Sequence, residues 1–216
     1  MLEKVSFLEK RRREESLPVY ALLQDLLYYE LKHGEHEFPQ DHLANYFSHL
    51  KGSETVSFEK GSQLLSIDHP LKVGVVLSGG QAPGGHNVIA GLFDALKTFH
   101  VESELLGFLG GPSGIVNGDY IHIRKELIDK YRNQGGFDLI GSGRTKIGTK
   151  EQLNKVRAVA TELNLDGLVV IGGDDSNTNA ALLAEDFLAH GLHTSVVGVP
   201  KTIDGDLKTE AIEISF

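Results

Sequence analysis

The sequence predicts an α/β fold, a doubly wound parallel sheet, preceded by an α-helical N-terminal extension. Three observations carry this reading. From Leu71 onward short apolar runs alternate with segments of helical periodicity, the pattern of right-handed βαβ units and a parallel sheet. Three of the runs end directly in loops rich in glycine or aspartate: SGGQAPGGHN (Ser78 to Asn87), IGGDDSNTNA (Ile171 to Ala180) and PKTIDGD (Pro200 to Asp206). Before Leu71 the alternation is missing and helical spacing dominates.

Taken in order, Ser16 can cap a helix in which Val19, Leu22, Leu23, Leu26, Leu27 and Leu31 share one face, with Pro18 in the first turn and a stop at His33-Gly34. A second, weaker helix is expected over Asp41 to Leu50, and Lys51 to Pro70 reads as a linker. The chain thus divides into residues 1–70, helical extension and linker, and residues 71–216, an α/β domain. There KVGVVL (Lys72 to Leu77) is a buried strand. Val88, Ile89, Leu92, Phe93, Leu96 and Phe99 then mark a helix starting near His86. Glu104 to Leu109 is a second strand and Phe137 to Ile140 a third, leading into GSGRTK (Gly141 to Lys146). Thr149 and Gln152 form a capping box for a helix to about Leu163. Gly167 to Gly173 is the clearest strand; a helix from about Asn177 to His190 and a strand from Ser195 to Val199 follow.

Composition narrows the classes. The formal charge of −9 argues against nucleic acid, whose binding rests on cations facing phosphates. The basic cluster Lys10 to Arg13 runs into Glu14 and Glu15 and reads as a solvated helix face. The N-terminus is charged throughout, and no apolar stretch reaches the length of a membrane span. Cysteine is absent, which removes disulfides and thiolate metal sites. His33, His36, His42 and His49 match no metal-ligand spacing. The expectation is a cytoplasmic protein with neither a membrane nor a nucleic-acid partner.

The three loops carry the chemistry. In open α/β sheets ligands bind outside the carboxyl ends of the strands. Glycines there let backbone N–H groups approach a phosphate, and the next helix adds its N-terminal dipole; helix–strand packing is the other reading of Gly79 and Gly80. Asp174 and Asp175 form a carboxylate pair that a cation would relieve, and hard oxygen ligands combined with substrate phosphates are the usual setting of Mg²⁺. Helix N-capping by Asp175 or Ser176 is the alternative. Lys201, Thr202, Asp204 and Asp206 offer a cation, a hydroxyl and two carboxylates, or else merely an acidic turn. With Arg144 added, these are the parts used in phosphoryl transfer.

The motifs GGQAPGGHN, GGPSGI, YRNQGGFDLIGSGR, GLVVIGGDDSNTNA and PKTIDGDLK together resemble the phosphofructokinase family, and within it the long pyrophosphate-dependent branch. The resemblance covers about residues 71 to 216. It implies phosphorylation of the 1-hydroxyl of fructose 6-phosphate by pyrophosphate with Mg²⁺, in glycolysis, by an enzyme that is a homodimer at full length. Gly79 and Gly80 would then line the donor site, Arg144 would contact the donor phosphates, and Asp174 would hold Mg²⁺ through them. Asp204 matches the general base, with Asp206 supporting it and Thr202 contacting the sugar. Asp175 and Lys201 replace the pattern of ATP-using relatives: the carboxylate would exclude a nucleotide α-phosphate, and the lysine would pair with pyrophosphate. The family's chains continue past this motif into the residues that grip the sugar phosphate. Residues 1–216 are therefore expected to hold the donor half and the base, with the α/β domain incomplete at its C-terminus. The alternative is a non-catalytic module that binds pyrophosphate or a partner chain.

Overall fold

The computed structural model of the protein describes residues 6–14, 28–34, 45–61, 67–134 and 136–204. Its centre is a six-stranded sheet of β3 (Lys72–Ser78), β4 (Glu104–Phe108), β5 (Tyr120–Ile123), β6 (Ser142–Gly143), β7 (Gly167–Gly172) and β8 (Ser195–Pro200). The path runs β5-β4-β3-β7-β8, and β6 lies beside the end of β3. The β3–β4, β3–β6, β3–β7 and β7–β8 pairs are parallel; only β5 runs antiparallel, against β4.

Residue alternation along the central strands explains why both faces are covered. Val75 and Leu77 of β3, with Val169 and Ile171 of β7, point into one core. There they meet Ile89, Phe93 and Leu96 of helix α2 (Gly85–Phe99) and Ile128 of α4 (Lys125–Tyr131). Val76, Leu168 and Val170 point the other way, onto Ile115 of α3 (Pro112–Asn117), Val156 of α5 (Lys150–Glu162) and Leu183 and Phe187 of α6 (Asp174–Ala189). A strand buried on both faces must be apolar at every position, which is why these runs stand out in the sequence. The result is a doubly wound α/β/α layer, as expected. The capping box at Thr149 is present, its hydroxyl accepting from Gln152 N–H while the Gln152 side chain accepts from Thr149 N–H.

The N-terminal part departs from the expected helices. Phe7–Glu14 is helical (α1). Tyr29–Gly34, expected as the end of a helix, is a strand (β1) paired antiparallel with Thr55–Lys60 (β2), inside the expected linker. The pairing sets Leu31 opposite Phe58 and His33 opposite Val56, so a two-residue alternation with a distant partner outweighs the helical spacing of Leu27 and Leu31. The remainder of the Val19–Leu31 helix lies outside the described residues. Of the expected Asp41–Leu50 helix, residues 41–44 lie outside the described residues and 45–49 form turns, followed by a 3₁₀ turn at Leu50–Gly52. The reason is a competing acceptor on α6. Glu185 takes N–H bonds from His49 (3.0 Å) and Leu50 (2.9 Å), the Ser48 hydroxyl (3.2 Å) and His49 Nδ1 (2.7 Å).

Burial works against the charge on Glu185, yet the His49, Leu50 and Ser48 donors together hold its carboxyl below the ordinary value. A carboxyl lowered in the fold stabilises it above the unfolded pKa and loses that contribution as pH falls through the folded one. Glu185→Gln should therefore destabilise the protein at pH 7 by about 1.5–3 kcal/mol, the worth of hydrogen bonds to a charged group. The gap between the two proteins should close as pH is lowered beyond the usual carboxylate range. Denaturant melts across that range check this.

Phe137–Ile140 also departs from the expected strand. It forms a turn, and the strand there is the two-residue β6. Phe137, Leu139 and Ile140 are nonetheless buried, as a plug on the α2 side of the sheet. Their apolar character comes from that core, not from strand pairing.

Candidate active site

In the sheet β3 has β4 on one side and β7 on the other, and the helix after β3 (α2) packs on one face while the helix after β7 (α6) packs on the other. At such a switch point the loops after the two strands diverge and open a crevice. The loops after Ser78 and Gly172 diverge there, and a cavity of about 400 Å³ lies between them. It is lined by Gly79 and Gly80 after β3, Arg144, Thr145 and Lys146 after β6, Asp174 and Asp175 opening α6, and Lys201 after β8.

Each loop is held by contacts that leave its functional groups facing the cavity. Gly79 adopts a left-handed φ of +86°, open to glycine at no cost, and its N–H donates to Gly143 O at 2.8 Å. A side-chain carbon at Gly79 would stand 3.9 Å from Lys201 Nζ, and one at Gly80 3.5 Å from Arg144 Nη2, so the glycines run between two cations. Ser176 Oγ donates to Ser78 Oγ at 2.8 Å in a buried bond that ties the loop after β7 to the end of β3. Asn177 Nδ2 donates to Gly172 O, the same carbonyl that accepts from Lys201 N–H at 3.0 Å. Buried Asn179 clamps Ile147 from both sides, accepting its N–H (2.9 Å) and donating to its carbonyl (2.5 Å), which fixes the segment behind Arg144 to Lys146.

Helix α6 starts at Asp174, three residues before the expected Asn177, and Gly173 is its N-cap with no side-chain cap. Capping by Asp175 or Ser176 is thereby overturned: Ser176 is engaged by Ser78, and both aspartates are exposed in the first turn. The uncapped end leaves backbone N–H groups and the positive end of a 16-residue helix beside the cavity. Among the described residues Arg144, Lys146, Lys201, Asp174 and Asp175 form no ion pair with one another or with other groups. Three cations, two carboxylates and free N–H groups around one cavity suit a small polyanion carrying a cation of its own.

A metal fits only on that condition. No cluster of three or more histidine, aspartate or glutamate side chains among the described residues could hold an ion alone. Asp174 and Asp175 offer hard oxygens, and Mg²⁺ is commonly held by one or two carboxylates with the rest of its shell from phosphate and water.

The structure thus brings Gly79, Gly80, Arg144, Asp174, Asp175 and Lys201 around one cavity. Thr202 and Asp204 follow Lys201 on the loop after β8 without lining it; Asp204 N–H donates to Thr202 Oγ1 at 3.0 Å, and Asp204 is exposed. Asp206 lies outside the described residues. Thr145 and Lys146 line the cavity and were not singled out from the sequence as site residues. Neither carries a sequence signal of its own; the loop after β6 brings both to the cavity beside Arg144.

Two loops meet closely at the rim. A side-chain carbon at Gly143 would lie 2.3 Å from Gly110 O, and one at Gly111 2.2 Å from Gly143 N. Gly143→Ala should therefore destabilise the fold by about 1–3 kcal/mol, the usual range for forced overpacking. A denaturant midpoint that does not move would contradict the close approach.

A family profile described as phosphofructokinase matches residues 72–216, about two thirds of the sequence. The chain belongs to the phosphofructokinase family. It is 57% identical over 185 residues to a Treponema pallidum pyrophosphate–fructose 6-phosphate 1-phosphotransferase, covering 82% of this chain and 32% of that protein. It is 59% identical over 155 residues to an Arabidopsis thaliana pyrophosphate–fructose 6-phosphate 1-phosphotransferase subunit beta 2, covering 72% of this chain and 27% of that one. The chain spans about a third of the length of the curated relatives it matches. Its fold is shared with a Nitrosospira multiformis pyrophosphate-dependent phosphofructokinase at a TM-score of 0.58 and 21% identity, covering 63% of this chain and 35% of that one. The same holds for one from Marinobacter aquaeolei at 0.56 and 19%, covering 62% and 34%. No helix among the described residues is long and apolar enough to cross a membrane.

Proposed function

We propose that the full-length protein transfers a phosphoryl group from pyrophosphate to the 1-hydroxyl of fructose 6-phosphate, and that residues 71–216 form its donor-binding part. The observation that carries this is the cavity at the β3/β7 switch point, whose lining of glycines, three cations and two carboxylates fits a small polyphosphate. The relatives' names give the reaction class. The roles follow from position. Backbone N–H groups of Gly79 and Gly80 approach the donor phosphates, while Arg144, Lys146 and Lys201 neutralise them. Asp174 holds Mg²⁺ together with those phosphates; when bound, the ion withdraws charge from the phosphate oxygens. Asp175 stands where a longer donor would continue and repels its extra phosphate. Asp204 accepts the proton of the sugar hydroxyl as its oxygen attacks phosphorus, the bridging P–O bond of pyrophosphate breaks and orthophosphate leaves, while Asp206 supports that carboxylate and Thr202 contacts the sugar.

Phosphoryl transfer asks little covalent chemistry of a protein, so positioning and charge supply the acceleration. Residues that grip fructose 6-phosphate lie, on this reading, in the two thirds of the relatives' length that this chain does not span. The test is fructose 1,6-bisphosphate formation by the full-length protein with Mg²⁺ and either pyrophosphate or ATP. Turnover with pyrophosphate and little with ATP supports the reading; ATP as the better donor overturns it.

A further inference from the structure

We propose that His86 is a positioning residue for the pyrophosphate-binding cations Arg144 and Lys146, an inference that rests on the donor-site reading above. His86 is the second residue of α2, is completely buried, and takes no part in the chemistry assigned to the cavity. A buried imidazole must have its polar atoms satisfied, so at a position serving packing alone an aliphatic side chain carries less cost. Its polar groups converge on one short segment. The backbone N–H donates to Gly136 O at 3.1 Å, Nδ1 lies 3.1 Å from Gln134 O, and Nε2 accepts the N–H of Leu139 at 3.1 Å. A neutral ring protonated at Nδ1 satisfies both contacts, donating to the Gln134 carbonyl and accepting from Leu139. Tyr131 packs edge-on against the ring at 4.9 Å, and Asp138 Oδ1 lies 3.2 Å from Nε2. Fit is close on the backbone side as well, since a side-chain carbon at Gly85 would fall 2.2 Å from the Phe137 ring.

The gripped segment leads straight to the cavity. After Leu139, Ile140 O accepts from Gly110 N–H, Ser142 and Gly143 pair with the end of β3, and Arg144 to Lys146 line the site. Asn179 clamps the far end at Ile147. His86 itself begins the helix that follows the Gly79–Gly84 loop. It therefore joins the two loops that must hold opposite sides of one ligand, and it does so from beneath, out of reach of that ligand. A displacement of about 1 Å in such a loop can cost roughly a hundredfold in rate.

The test uses the full-length protein and three forms: wild type, His86→Gln, whose amide oxygen can still accept from Leu139, and His86→Leu, which offers neither bond. Binding of Mg²⁺–pyrophosphate is measured by calorimetry, and KM for each substrate and kcat by turnover. Leaving a buried N–H unpaired costs enough to expect a pyrophosphate affinity lower by about 5- to 100-fold in His86→Leu. His86→Gln should fall between it and wild type, with KM for fructose 6-phosphate within about twofold in both. Unchanged pyrophosphate affinity in either folded variant, or equal losses for both substrates, overturns the proposal. If His86→Leu does not fold, His86→Gln decides alone on the same criteria. A wild-type protein that binds no pyrophosphate overturns the donor-site reading and this inference with it. Wild-type binding with variants unchanged overturns only the role of His86.

Discussion

Replacing Asp204 by asparagine in the full-length protein should lower kcat by about 10²- to 10⁴-fold, the range that a positioned general base supplies. Affinity for pyrophosphate should hardly change. Asp204 stands three residues beyond Lys201 on the loop after β8 and does not line the donor cavity, so its loss leaves that cavity's cations and glycines in place. Asparagine preserves the size of the side chain and removes its capacity to take a proton. Steady-state kinetics with calorimetric pyrophosphate binding separates the two quantities. A variant with wild-type kcat would move the base elsewhere on the chain.

The second large effect concerns the choice of donor. Asp175→Gly combined with Lys201→Gly should weaken pyrophosphate use and admit ATP. Asp175 lines the cavity and is exposed in the first turn of α6, while Lys201 Nζ lies beside Gly79. Two unit charges about 4 Å apart repel by about 1 kcal/mol in water and about 4 kcal/mol at an effective dielectric of about 20. Exposure of Asp175 places its repulsion of a third phosphate nearer the lower figure. At about 1.4 kcal/mol per factor of ten, removing it gains roughly fivefold to a hundredfold for ATP. The lost lysine costs pyrophosphate a direct charge pair. Donor competition kinetics on the double variant measures both. Unchanged pyrophosphate turnover with no ATP turnover would show that selectivity rests on other residues.

The strands that frame the site were legible because burial on both faces leaves them no polar position. Lys72–Ser78, Gly167–Gly172 and Ser195–Pro200 were each bounded from the sequence to within about two residues, and they are consecutive neighbours in the sheet. Their loops were legible for a related reason, since glycine and paired aspartates after an apolar run have few structural uses. What escaped were elements whose signal is short or whose partner is distant. Tyr120–Ile123 has four residues and an antiparallel neighbour, so it interrupts the βαβ rhythm without announcing itself. Tyr29–Gly34 alternates, but Leu31 also continues a helical series, and only Thr55–Lys60 decides between them. Phe137–Ile140 has the composition of a strand because it plugs a core. At the site, Lys146 and Asn179 carry no motif of their own. Their roles come from the fold, which sets the loop after β6 against α6.

The proposed reaction turns on the phosphoryl donor binding in the cavity at the β3/β7 switch point. Its most direct test is a crystal structure of the full-length protein soaked with methylene diphosphonate and Mn²⁺, the metal located by its anomalous signal. The diphosphonate should lie between Gly79–Gly80 and the Arg144, Lys146 and Lys201 side chains, with Mn²⁺ beside Asp174. Diphosphonate and metal bound together at another place, with this cavity empty, would contradict it.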